Sequence, residues 1–504
     1  MKKSKIALGV IVALGAASVG GAWFTGQKAE SEYLRQIEQA NQQFQTLNLS
    51  DSIKLVYKNK QFERGFFTSQ VEDEVVISLP KEGKVWTIPL STKLYHGPFP
   101  LDQLAKFNLV PTMYSAQGVV GKNESTQPLF DFLKSDKPIQ YRAATSYALN
   151  TKGAVELAGG EFADPNNPES KIAWSNINWG FDFGKDLTGK YNMTLDELSL
   201  NLIEDADADA GGEEEADEVS FESMKMKMKG MKIDGSFTPT KWNYLYAAKA
   251  TSSTDYFEMN GVYHDGSTTS VIEKGIKGTS DISLNGDFLN VKSENSLDSL
   301  SIDGKELGKL TYNSELNHIE ANAANALIEA FVDILKATPE ADEEEYDSVV
   351  AMIMDNWLEK HGMAIFSNQP QIKLNPIAIS DKQGKLALDL NVALAPNPEF
   401  DLMREGLYKQ FTDFAINFQL DKATAENLVK TFAPEGESVN AAEAVEKFAQ
   451  EGASSGMLVN GDRSVTMQLV LENGGLKLNG QPIPEEQARN ALMMLAIGAM
   501  MQMH

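Results

Sequence analysis

Three groupings in this sequence offer reactive or metal-binding side chains: five histidines, one acidic block and one methionine stripe. His96, His264, His318, His361 and His504 lie far apart. None belongs to a His-Glu-x-x-His pair, and the chain has no Gly-x-Ser-x-Gly turn and no Gly-rich phosphate loop. His96 opens His96-Gly97-Pro98-Phe99-Pro100-Leu101, where two prolines and a glycine fix an extended turn. A histidine there reads as a hydrogen-bonded structural group, not as a base. The acidic run Glu204–Glu218 places Asp205, Asp207 and Asp209 at the first three ligand positions of a calcium loop. Its sixth position is Ala210, where the turn needs glycine, and its twelfth is Ala216, where a bidentate glutamate belongs. It therefore reads as an exposed, self-repelling insertion. Met224, Met226 and Met228 have the softness copper prefers, but no cysteine or histidine joins them. Alternating with Lys225, Lys227 and Lys229, they read as the apolar side of a strand. Glu340, Asp342, Glu343, Glu344 and Glu345 are explained by the start of a helix, whose positive end they suit. No catalytic residue, cofactor or metal is assigned.

The elements that would hold such groups are mostly strands. From Gln140 to Phe288 the pattern has period two, as in Leu198, Leu200 and Leu202. Earlier, Ile53–Tyr57 and Val71–Leu79 read as strands joined through Arg64-Gly65-Phe66-Phe67, with Gly65 at a position needing positive φ. Asn285-Gly286, Asp303-Gly304 and Asn473-Gly474-Gly475 predict hairpins, and Asp234-Gly235 and Asn479-Gly480 predict related turns. Further strands are expected at Gln371–Ile379, Lys385–Ala395, Phe414–Leu420 and Ser464–Leu471. Helical spacing marks Lys28–Phe44, Ile319–Lys336, Asp342–His361 (with Gly362 as C-cap), Thr424–Phe432, Ala441–Gln450 and the Met-rich Pro484–Met503.

Ahead of all this lies Ile6–Gln27, which carries no charged side chain and follows Lys2, Lys3 and Lys5. As a helix it would measure roughly 33 Å, enough to cross a hydrocarbon core. The basic start predicts a cytoplasmic N-terminus and an exported body. A cleavable leader ending near Gly20-Gly21-Ala22 is the competing reading. The length of the run and its continuation into Lys28–Phe44 favour a retained single-pass anchor. Gly9, Ala13, Ala17 and Gly21 recur every four residues and form a candidate self-association face. With 504 residues, 71 acidic against 45 basic side chains and a net charge of −26, the chain should fold into two or three cores and repel nucleic acid. It has no cysteine, which excludes disulfides and thiolate chemistry and suits an oxidising compartment.

Several segments together carry a family resemblance: Lys5-Ile6-Ala7-Leu8-Gly9 with Gly20-Gly21-Ala22-Trp23-Phe24, Arg64-Gly65-Phe66-Phe67-Thr68-Ser69, His96-Gly97-Pro98-Phe99-Pro100-Leu101, Leu109-Val110-Pro111-Thr112-Met113, Gly159-Gly160-Glu161-Phe162 and Leu476-Lys477-Leu478-Asn479-Gly480-Gln481. The chain resembles the YdgA-like proteins, a Gram-negative family classed as a domain of unknown function. The resemblance implies an inner-membrane-anchored periplasmic protein that forms a homodimer, and it carries over no catalytic residue. Arg64, Gly65, His96, Gly97, Pro98, Phe99 and Pro100 are read as structural. The expected fold is α+β: a transmembrane helix, then an elongated periplasmic part of antiparallel sheets with helices packed on one face. The expected regions are 1–28, 29–135, 136–316 and 317–504. The expected role is non-enzymatic binding of an apolar partner, lipid or another envelope protein, along a curved sheet. A dimeric envelope scaffold is the alternative, and a hydrolase is the third reading.

Overall fold

A computed structural model describes residues 28–42, 54–80, 83–164, 167–203, 221–337, 343–398, 407–433, 439–484 and 486–487. Among the described residues, 22 strands belong to one antiparallel sheet, and the chain divides into two compact units. The expected α+β body with helices along one face is therefore corrected. Strands run to 19 residues, so most of the backbone hydrogen bonding goes into inter-strand ladders, and several helices are only a turn or two long.

The single-pass anchor is corrected as well. Among the described residues no helix is long and apolar enough to cross a membrane. Their longest helix, 17 residues over Ala321–Ala337, would reach only about 25 Å and carries Glu329 and Asp333. The Ile6–Gln27 run, the acidic block and nearly all of the Met-rich end lie outside the described residues.

The first unit starts with a helix over 28–42 (α1). Ala29 and Ile37 are buried on the same stripe as Tyr33. Its strands are β1 (Lys54–Arg64), β2 (Thr68–Leu79), β3 (Lys84–His96), β4 (Tyr114–Val120), β5 (Ile139–Thr145), β6 (Thr151–Leu157), β7 (Gly160–Ala163), β8 (Lys171–Trp174), β9 (Ile177–Phe183) and most of β10 (Gly189–Ile203). Pairing runs β1 to β6 in chain order, then β6–β9, β9–β10, β10–β8 and β8–β7. Two short helices interrupt the meander, α2 (Leu101–Leu104) and α3 (Gln127–Leu133). The α1 stripe seals Val71, Leu94, Met113 and Tyr114.

Part of the long strand β11 (Phe221–Pro239) also belongs to the first unit. The turn expected at Asp234-Gly235 is absent: both residues lie inside β11. Gly235 is there because the ring of Tyr191 occupies the space a Cβ would need. Gly65 likewise does not have positive φ. Its amide bonds the Thr68 carbonyl at 2.8 Å, and a Cβ would lie 2.6 Å from that oxygen, so close approach selects the glycine.

The second unit is a meander of β12 (Tyr246–Tyr263), β13 (Thr268–Asn285), β14 (Phe288–Ile302), β15 (Lys305–Glu320), β16 (Gln371–Ser380), β17 (Lys385–Leu394) and β18 (Phe411–Asp421), each pairing with the next. β18 pairs with β20 (Ser464–Glu472), which also pairs with β19 (Val459–Asn460) and β21 (Gly475–Leu478); β22 (Gln481–Pro482) follows β21. The hairpin turns expected from sequence form here. Asp303-Gly304, Asn473-Gly474 and Asn479-Gly480 all have positive φ at both central residues.

The expected helices form as α4 (Ala321–Ala337), α5 (Glu343–Trp357), α7 (Lys422–Phe432) and α8 (Ala441–Ser454). Asn440 caps α8 by accepting from the Glu443 amide, and Ala441, Val445 and Ala449 make its buried stripe. Gly362 is not a C-cap: α5 passes through a π-turn at Leu358–Gly362 into α6 (Met363–Ser367), and Gly362 has φ −56°.

Candidate functional site

Gly9, Ala13, Ala17 and Gly21 lie outside the described residues. The other motif residues meet at the α1 end of the first unit. Arg64 closes β1 and reaches Glu30 of α1 at 3.4 Å. His96 ends β3, is 1% exposed, and its Nε2 lies 3.1 Å from the hydroxyl of buried Ser69. Gly97 turns the chain with φ 125°. The Pro98 carbonyl accepts from Thr112, Phe99 is half-buried, and buried Pro100 stands at the N-cap of α2. These contacts seal a serine and a histidine together without leaving room for a substrate.

Sequence reasoning passed over a buried carboxylate of this region and the tyrosines around it. Asp73 on β2 is 3% exposed. It accepts from Tyr33 of α1, from Asn59 at 2.8 Å and from Tyr57 at 3.3 Å. Burial pushes its pKa up, while these three donors pull it down. Burial also raises both tyrosines, and Tyr114 nearby, bonded to Gln36 of α1, is pushed up to about 12. Asp73 is buried, its donors Tyr33, Tyr57 and Asn59 are half-buried, and together they clamp α1 to the sheet. The signal was present: Asp73 falls in phase with Val71 and Val75, on the apolar side of its strand.

Among the described residues the remaining histidines do not gather into a metal-binding group. His318 has φ 63°, stacks on Phe288 at 3.8 Å and bonds the Asn368 carbonyl. Among the described residues no three metal-ligating side chains gather.

The second unit holds a surface of another kind. Strand register places apolar residues opposite one another on one sheet face, strand after strand. One row runs Ile282, Val291, Leu316, Ile372, Val392, Phe414 across β13 to β18. A second runs Tyr312, Ile377, Leu388, Phe418, Met467. A third runs Leu297, Leu310, Ile379, Leu386, Leu420, Val465. The rows share a face because β16 shifts register between Leu374 and Ile377, returning its alternation to the same side.

The margins of this face are closed. Leu289 and Ile319 pack with Ala321 and Ala324 of α4, Phe414 packs with Leu476, and Val465 is fully buried. Its middle is open. Tyr312 is 43% exposed, Leu316 37%, Ile372 46% and Leu388 38%. Six strands give five gaps of roughly 4.8 Å, so a row measures about 24 Å. That is enough for an extended alkyl chain.

A family model described as "Bacterial protein of unknown function (DUF945)" matches residues 1–486. A Haemophilus influenzae protein described as uncharacterized is 39% identical over 343 residues, covering 68% of this chain and 89% of its own length. Protein YdgA of Escherichia coli K12 is 26% identical over 513 residues, 96% of each chain. Uncharacterized protein YihF of the same strain is 22% identical over 501 residues, covering 96% of this chain and 97% of its own. No solved structure matches the chain.

Proposed function

The chain belongs to the DUF945 family, and for this member we propose a non-enzymatic role: it holds an apolar partner, the alkyl chain of a lipid, against the open sheet face of its second unit. One observation carries the reading, the set of unbroken apolar rows whose central residues Tyr312, Leu316, Ile372 and Leu388 stay exposed. Aliphatic side chains aligned along the inter-strand direction favour a long, flexible, uncharged ligand. The buried His96–Ser69 pair and the Asp73 carboxylate, 3% exposed and held by three donors, give no support to hydrolysis. Work outside the cytoplasm belongs to the same proposal. The cysteine-free composition supports it, and a reporter fusion active only after export tests it.

The binding test uses the delipidated full chain and a fluorescent fatty acid. Saturable binding is expected. The Ile372→Gln/Leu388→Gln double variant should weaken it by roughly tenfold or more, since each polar end removes about 1 kcal/mol of apolar contact. Equal affinity in the variant, with unchanged far-UV circular dichroism, would remove this face from the mechanism. A scaffold that dimerises through the same face would instead show a concentration-dependent mass that the double variant abolishes, with no fatty-acid binding in either protein.

A further inference from the structure

The first unit carries a second surface, independent of the apolar face. β2 to β6 turn Val71, Leu94 and Ala116 toward α1 and present polar residues on the opposite side. Register aligns Gln70, Lys93, Gln117 and Arg142 in one cross-strand row. Lys106, just after α2, and Lys137, just before β5, complete a groove of about 480 Å³ floored by this row. Four cations thus converge in a chain whose acidic residues outnumber its basic ones by 71 to 45.

The nearby carboxylates keep their charge but form no ion pair with these cations, and of them only Glu156 is among the residues lining the groove. Glu72 accepts from Ser91 at 2.9 Å and from Gln70 at 3.2 Å. Glu156 accepts from Asn176 at 2.9 Å. Asp102 accepts from Ser115, and from Gln103 and Gln117 at 2.9 Å and 3.2 Å. Each acid is satisfied by neutral donors. Among the described residues Lys93, Lys106, Lys137 and Arg142 make no ion pair with any carboxylate, and Lys93 lies only over the Tyr95 ring at 5.3 Å. Exposed cations that outnumber the carboxylate of the same concavity four to one raise the local concentration of anions.

We propose that this groove binds a ligand bearing two or more phosphate-type oxyanions. A guanidinium fork and ammonium groups beside glutamine amides are the donor set such oxygens need. Lys93 and Arg142 stand two strand spacings apart, roughly 10 Å, a separation that two linked oxyanions match better than one. The motif turn His96–Pro100 leads into α2, whose Asp102 accepts from Gln117 of the row, and Lys106 follows that helix into the groove lining.

Calorimetry of the full chain at low ionic strength tests the site with inorganic pyrophosphate and orthophosphate. Pyrophosphate should bind, orthophosphate roughly tenfold more weakly, and added salt should reduce both. Arg142→Gln and Lys93→Gln should each lower pyrophosphate affinity by roughly tenfold. Lys249→Gln, a control on exposed β12, should change nothing. A second arm uses phosphatidylcholine vesicles with and without phosphatidic acid. Co-sedimentation that needs phosphatidic acid and fails in Arg142→Gln assigns the oxyanion to a lipid headgroup; pyrophosphate binding without co-sedimentation assigns it to a free phosphate compound. Binding of neither probe, or an equal loss in Lys249→Gln, overturns the proposal.

Discussion

Asp73→Ala is expected to destabilise the first unit by ~3–5 kcal/mol, because it removes the one buried acceptor that three donors share and leaves a gap beneath α1. Tyr33, Tyr57 and Asn59 all donate to this carboxylate, which is itself only 3% exposed. Tyr33 is also the contact through which α1 holds Phe62, 6.1 Å away ring to ring. A chain of this length unfolds in parts, so the effect should be read locally, as faster amide exchange in α1 and β1–β2 with the second unit unchanged. Exchange as slow as in the parent chain would show that the clamp is not needed. The same group predicts a pH dependence. Burial raises its folded pKa above the ordinary 3.8, so the folded chain binds this proton more tightly than the unfolded chain. The resulting stability is fully present below the unfolded value and is lost as pH rises through the folded one. Asp73→Asn cannot ionise, so unfolding of this unit measured from about pH 4 to 7 should lose that part of its slope.

What could be read in advance was local. Helical spacing located α4, α7 and α8, and the Asn-Gly and Asp-Gly turns located the hairpins, because a few neighbouring residues determine each of them. Where a distant residue decides, the reading broke down. Asp234-Gly235 has the composition of a turn, yet its glycine answers to the Tyr191 ring, far away in sequence. Gly362 has the look of a cap, yet the helix widens through it. The apolar face was beyond reach for the same reason. Leu316, Ile372 and Val392 become neighbours through strand register, which no short window contains. The alternation rule would also have put Leu374 and Ile377 on opposite sides, and the shift in β16 reverses that. Lys93, Gln117 and Arg142 are unremarkable one at a time and become a row only when β3, β4 and β5 pair.

Gly308→Ala should be nearly as damaging as Asp73→Ala, and at the second unit's end of the same logic. Gly308 has φ 97°, where a side chain is strained. The Cβ of alanine would run into the Ser380 carbonyl, its carbon 3.0 Å away. The obstacle is backbone in the paired strand β16, so no rotamer change relieves it. Strain of this kind costs about 1–3 kcal/mol and overpacking a similar amount, giving roughly 3–5 kcal/mol together. The position also matters for binding. Gly308 pairs with Leu300 inside an irregularity between Leu297 and Ser301, and it lies two residues from Leu310, which stands opposite Leu297 in the third apolar row. The expected result is therefore double: faster amide exchange around residues 305–310 and 377–380, and weaker fatty-acid binding, although Gly308 offers the ligand no side chain. Loss of protection with binding intact would separate the bulge from the face. Protection within ~1 kcal/mol of the parent would mean that β15 can adopt an ordinary strand conformation there, and that the third row does not depend on the glycine.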